Sequence, residues 1–239
     1  MSNIFWAGDS TVKENTIVSF PQTGIGQTLR LYLKRNVLVY DYAQNGRSTK
    51  SFIDEGRLDI IDKNIQKGDF LFIQFGHNDE KIQDPARYTD SKTTFRDNLR
   101  VYIEVARKHE AYPVLITPLY RRLFEANGKL VADTHMDYPQ AMIEVGKEEG
   151  VPVIDLCSIS RTVIEEAGEE LTKEWFLYVP AGKYPHFPEG KRDNTHLQYE
   201  GAVKFAGIIA DEMKKLGGIY SDLFLQSMVD DEDPRLLID

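Results

Sequence analysis

The chain has 239 residues, 41% of them hydrophobic and 28% charged, which is the composition of an ordinary globular protein and not of a disordered or fibrous one. A domain of this length buries roughly 70% of the surface its unfolded chain exposes, so it needs no disulfide or metal staple. With 29 Lys and Arg against 38 Asp and Glu the net charge is −9, and no basic patch stands ready to neutralise a phosphate backbone, which argues against nucleic acid as a partner.

The chain opens on an apolar run, Asn3 to Ala7, followed at once by Gly8-Asp9-Ser10-Thr11. This leaves no basic or apolar segment for a signal peptide, and no later stretch approaches the length of about 18 apolar residues that a membrane span requires. The expectation is a cytoplasmic protein that does not enter a membrane, although a chain trimmed of its leader would read the same way. Four further short runs follow, Val37 to Tyr42, Phe70 to Phe75, Pro113 to Thr117 and Val151 to Ile154, rich in Val, Ile, Phe and Tyr and mostly continuous. Such runs suit strands covered on both faces.

Between the runs lie helical spacings. Phe95, Leu99, Tyr102 and Ala106 share one face, as do Tyr138, Ala141, Met142 and Val145, with Pro139 in the first turn of its helix. Cys157, the single cysteine, has no partner for a disulfide and no paired spacing for zinc or thiol redox chemistry, which fits a reducing interior. From Glu170 to Lys191, Trp175, Phe176, Tyr178, Tyr184 and Phe187 mix with prolines and glycines, and the segment reads as a long ordered loop. A last helical stripe, Ala202, Phe205, Ala206, Ile209, Met213 and Leu216, stops at Gly217-Gly218. Residues 1–217 are read as one domain and 218–239 as a tail. That tail carries Ile219, Leu223, Phe224 and Met228, an acidic cluster from Asp230 to Asp233, and Leu236-Leu237-Ile238; it docks on its own domain or on a second subunit, which allows a homodimer.

Alternating strands and helices predict an α/β fold with a five-stranded parallel sheet between two helical layers, and right-handed crossovers limit its topology. Ligands of such sheets bind beyond the carboxyl ends of the strands. The loops there are polar: Gly8-Asp9-Ser10-Thr11, Asn45-Gly46-Arg47-Ser48, Gly76-His77-Asn78-Asp79, and Pro118 with Arg121-Arg122. Ser10 in its strand-end turn suits a nucleophile, although taken alone Ser10 or Thr11 equally caps a helix or closes a turn. A serine needs a base and the base an orienting group. Asp193-Asn194-Thr195-His196 offers both, while an isolated Asp-x-x-His also fits a surface cap or half of a metal site. The backbone N–H groups of Ser10 and Gly46 and the side-chain amide of Asn78 supply neutral donors for a developing oxyanion.

These blocks together resemble the SGNH, or GDSL, hydrolase superfamily. Gly46-Arg47-Ser48, Phe75-Gly76-His77-Asn78-Asp79, Thr117-Pro118 with Arg121-Arg122, and Asp193-Asn194-Thr195-His196 look like its rhamnogalacturonan acetylesterase branch, over nearly the whole chain up to about Leu216. The resemblance implies a flavodoxin-like three-layer α/β/α fold and a metal-free, cofactor-free esterase. In it Ser10 is the nucleophile, His196 the base and later acid, and Asp193 the orienting residue, with Ser10, Gly46 and Asn78 as the oxyanion hole. It further implies acetylated pectin oligosaccharides as substrate, met inside the cell after import.

For substrate binding, Arg121 and Arg122 suit a galacturonate carboxylate, Trp175 in the aromatic segment suits a sugar face, and His77 stands beside Asn78. Each has a plain alternative, a solvated basic pair for the arginines and loop packing for the aromatics. Competing functions are a lipid-ester or thioester hydrolase of the same superfamily, a deacetylase of another polysaccharide such as xylan, and a catalytically silent carbohydrate-binding protein. A metal-dependent hydrolase built on Asp9, Asp79, Asp193, His77 and His196 is a further reading, weakened by the absence of a His-x-x-x-His pair.

Overall fold

Successive side chains of a strand point to opposite faces, so a strand apolar at every position must be covered on both. The computed structural model describes residues 2–226 and meets that demand with three layers. In chain order the elements are β1 (Ile4–Gly8), α1 (Ile25–Leu29), β2 (Val39–Asp41), α2 (Thr49–Asp54), α3 (Arg57–Asn64), β3 (Phe70–Gln74), α4 (Thr94–Lys108), β4 (Tyr112–Ile116), α5 (Tyr138–Glu149), β5 (Val153–Ile154), α6 (Leu156–Thr172), β6 (Phe176–Val179), β7 (Lys191–Leu197), α7 (Tyr199–Leu216) and α8 (Gly218–Ser221). The first five strands form one parallel sheet in the order β2-β1-β3-β4-β5.

Ile4, Trp6, Phe70, Phe72, Val114 and Ile116 pack on one face with residues of α1, α6 and α7. Phe5, Ala7, Leu71, Ile73 and Leu115 pack on the other with residues of α2 to α5. The expected α/β fold with a five-stranded parallel sheet is therefore observed. From β1 the chain crosses to β2 on one side and then to β3 on the other, so the strand order reverses between β1 and β3. A doubly wound sheet opens a crevice at that reversal, and the loops carrying Ser10 and Asn78 leave β1 and β3 there.

One part of the chain differs from the sequence expectation. The segment from Glu170 to Lys191 is not one long loop: it contains the end of α6 and then β6, which pairs antiparallel with β7 as a separate two-stranded sheet. Prolines and glycines gather at its tip with Tyr184 and Phe187, while Phe176, Leu177 and Val179 of β6 are buried. The tail beyond Gly217 continues as α8 and then returns to the domain, where Leu223 and Phe224 are buried and Phe224 bridges to Leu33. Met228, the acidic cluster and Leu236-Leu237-Ile238 lie outside the described residues. Among the described residues no helix is long and apolar enough to cross a membrane.

The loop after β3 is tied to α2 by a buried carboxyl. Asp79 Oδ1 accepts hydrogen bonds from Thr49 N (3.0 Å), Thr49 Oγ1 (2.5 Å) and Thr89 Oγ1 (3.0 Å), while its Oδ2 has no partner. Burial pushes Asp79 up to about 7, against the opposing pull of the Thr49 and Thr89 bonds and with the help of nearby Asp9. An unfolded Asp ionises near about 3.9. Between those values the folded chain holds a proton that the unfolded chain has lost, so this group's contribution to stability falls as pH rises towards 7 and is complete only at the acid end. Urea unfolding of wild type and Asp79→Asn between pH 5 and 8 will show a stability difference that changes with pH in that sense; parallel pH profiles would contradict a buried, proton-holding Asp79.

Candidate active site

The turn after β1 presents Ser10. Asp9 turns its carboxylate back on the chain, Oδ1 accepting from Thr11 N at 2.9 Å and Thr11 Oγ1 at 2.8 Å, while its carbonyl accepts from Val12 N and Lys13 N. With both neighbours bound inward, Ser10 stays half-buried with its hydroxyl at the sheet edge. Burial raises the Asp9 carboxyl above the ordinary range, opposed by the Thr11 bonds.

His196 and Asp193 arrive on β7. Phe176 pairs with Leu197 and Tyr178 with Arg192, so the single residue Leu177 faces the four residues Asp193 to His196, which bulge from the ladder. A bulge re-aims side chains, and here Asp193 Oδ1 accepts from Thr195 N (2.8 Å) and His196 N (2.9 Å), curling the segment on itself. Asp193 Oδ2 then lies 2.8 Å from His196 Nδ1, and His196 Nε2 lies 2.9 Å from Ser10 Oγ. Burial opposes the Asp193 charge, but the His196 bond and the two backbone N–H groups outweigh it and hold the carboxyl at about 2. A charged Asp193 assigns the imidazole proton to Nδ1, which leaves Nε2 as the acceptor facing the serine hydroxyl.

Gly46 and Asn78 occupy the neighbouring loops. Gly46 has φ of +75°, a left-handed conformation in which a side chain is strained. Two residues on, Ser48 caps α2, its Oγ accepting from Ser51 N while Ser51 Oγ accepts from Ser48 N, so the loop holding Gly46 is anchored at its far end. Asn78 is buried and its amide is oriented from both sides: Nδ2 donates to Arg47 O at 3.0 Å, and Oδ1 accepts from Arg87 Nη1 at 3.2 Å. Arg87 is in turn paired with Asp84 at 2.6 Å. One N–H of Nδ2 remains for a ligand, and the Ser10–His196–Asp193 contacts are those that a base-activated nucleophile requires. Arg87 was not anticipated from sequence; its place nine residues after Asn78 in the same irregular segment is the only signal it leaves.

The structure gives each of the four expected substrate contacts other partners. Arg122 is only 2% exposed and its guanidinium is spent on Thr172, Asn194 and Glu169, so it cannot reach a sugar from the surface. Arg121 forms an ion pair with Glu80 and donates to the carbonyls of Thr134 and His77, which leaves no free charge. The His77 ring is buried, and burial together with the charges of His135, Arg121 and His196 keeps it well below the usual imidazole range, hence neutral. Trp175 packs edge-on against Phe205, under Lys204, on α7. The carboxylates of the metal reading are divided among other partners, and among the described residues no group of three His, Cys, Asp or Glu is placed to hold an ion.

With the geometry in view, similarity to known proteins becomes informative. Residues 7–202 match the GDSL-like Lipase/Acylhydrolase family. The chain is 39% identical over 214 residues to the Bacillus subtilis rhamnogalacturonan acetylesterase RhgT, covering 90% of each. It is likewise 39% identical to the probable rhamnogalacturonan acetylesterase YesY of the same organism, covering 90% of this chain and 94% of YesY. The crystal structure of Bacillus subtilis YxiM superposes with a TM-score of 0.76 at 27% identity, over 90% of this chain and 57% of that one. A set of catalytic groups at one sheet edge and a match across most of the chain agree: this protein belongs to the GDSL-like lipase/acylhydrolase family and is a carboxylic ester hydrolase.

Proposed function

We propose that the protein is a serine O-acetylesterase that removes acetyl groups from rhamnogalacturonan oligosaccharides, with imported oligomers in a reducing cell interior as its setting. The observation that carries this reading is the 2.9 Å contact between Ser10 Oγ and His196 Nε2 in a chain 39% identical to two proteins bearing that activity in their names. Ser10 Oγ attacks the acetyl carbonyl as His196 Nε2 takes its proton. The oxyanion is met by the N–H groups of Ser10 and Gly46 and by Asn78 Nδ2, and the sugar hydroxyl leaves with the proton from His196. Water then attacks the acetyl-serine, again giving its proton to His196, and acetate departs with Ser10 restored.

Galacturonate residues make such substrates anionic, and a chain of net charge −9 repels them at long range. With Arg121 and Arg122 otherwise engaged, the local cations we assign to the substrate carboxylate are Lys191 and Arg192. Both are exposed, make no side-chain hydrogen bond or ion pair among the described residues, and line a cleft of about 490 Å³ with Lys173 and Tyr178, immediately before Asp193 in the chain.

Ser10→Ala will fold as wild type and lose acetate release from acetylated rhamnogalacturonan oligomers by about a thousandfold or more. Retention of a tenth of wild-type kcat would remove Ser10 from the mechanism. Exposed ion pairs are each worth roughly 0.2–1 kcal/mol, so Lys191→Ala/Arg192→Ala is expected to lower kcat/KM on acidic oligomers by about three- to tenfold and to flatten its dependence on ionic strength. Turnover of p-nitrophenyl acetate should not change. Equal losses on both substrates, or none on either, would withdraw the cleft from substrate binding.

A further inference from the structure

A buried guanidinium needs a partner for each of its donors, and those of Arg122 tie the end of α6 to the segment that bears the base. Its Nε donates to Thr172 Oγ1 at 2.8 Å, its Nη1 to Asn194 Oδ1 at 3.1 Å and its Nη2 to the Glu169 carbonyl. The nearest carboxylate, Glu169, is 3.8 Å away and half-exposed. The rings of Tyr178 and Phe124 lie 4.6 and 5.3 Å from the guanidinium carbon. The backbone N–H of Arg122 donates to Asn194 O at 2.9 Å, and Tyr178 OH donates to Asn194 Oδ1 at 2.5 Å.

Asn194 sits inside the bulge, between Asp193 and Thr195. Because four residues there face one on β6, ladder hydrogen bonds do not hold them. The bonds from Thr195 N and His196 N to Asp193 are internal: they set the shape of the bulge but not its place relative to Ser10. Both oxygens of Asn194, by contrast, are held by Arg122, which follows β4 of the main sheet. We propose that Arg122 is a positioning residue for catalysis, clamping Asn194 so that the bulge presents His196 to Ser10. The role rests on the esterase reading above, and the guanidinium never touches substrate. A lysine cannot replace it, since one point charge lacks the planar fork that reaches Thr172, Asn194 and Glu169 together.

The test is p-nitrophenyl acetate kinetics, with thermal unfolding, on Arg122→Lys, Arg122→Met, Asn194→Ala and Arg122→Met/Asn194→Ala. A misplacement of about 1 Å in a catalytic group costs roughly 100-fold, so the single variants are expected to lower kcat by about ten- to 100-fold with KM held within about twofold. The double variant should be no worse than the weaker-performing single, because the two residues act through one contact. Asn194→Ala leaves the bonds to Thr172 and Glu169 in place, so it carries the test even if the arginine variants fail to fold. Wild-type kcat in Asn194→Ala, or folded arginine variants with lowered Tm and undiminished kcat, would overturn the clamp. Wild-type protein with no turnover of the ester would instead overturn the esterase reading and the clamp with it.

Discussion

The contact between Ser10 Oγ and His196 Nε2 joins positions 186 residues apart, and the site exists only if two independently built supports stop at the right distance. One is the main sheet, whose reversal between β1 and β3 exposes the Ser10 turn beside the loop of Asn78. The other is the β6–β7 hairpin, a separate two-stranded sheet that carries the base. Among the described residues no strand ladder connects the two sheets. Their alignment depends on direct ties, among them Thr23 N to Leu197 O at 3.0 Å and Arg122 N to Asn194 O at 2.9 Å.

Electrostatics divides the site in a way that suits acyl transfer. Asp193 is held as an anion by donors aimed at it, which in the proposed mechanism lets it stabilise the imidazolium formed when Ser10 gives up its proton. The proposed oxyanion donors are neutral amides, and Arg87 orients Asn78 through its oxygen. Behind them the buried carboxyls of Asp9 and Asp79 are pushed towards the protonated form, each anchored through a single oxygen by threonines.

What the sequence disclosed follows from how local each signal is. The five strand runs and the α4, α5 and α7 stripes are set by burial of contiguous or periodic apolar residues, so they were readable without tertiary information. The nucleophile turn, Gly46 and Asn78 were readable because each follows a strand whose end could be placed, and the Asp193–His196 pair because of its own Asp-x-x-His spacing ahead of the α7 stripe. The hairpin was hidden because its prolines and glycines lie in the connection while β7 is almost wholly polar, Lys191 to His196, with no alternation to mark a strand. Arg122 was misread for a different reason: an arginine after a strand looks the same whether it faces solvent or lies under Tyr178, and only the hairpin decides which. Trp175 shares that history, since α7, against which it packs, follows only after the whole β6–β7 hairpin.

The account stands on Ser10 being activated by His196. The most direct measurement is to treat the protein with a fluorophosphonate, which forms a stable adduct with an activated serine, and to locate the label by peptide mass spectrometry while following ester turnover. The account predicts one label per chain, on Ser10, with activity lost in proportion to labelling and no labelling in His196→Ala. Full labelling at another residue, or labelling of Ser10 that leaves turnover intact, would contradict it.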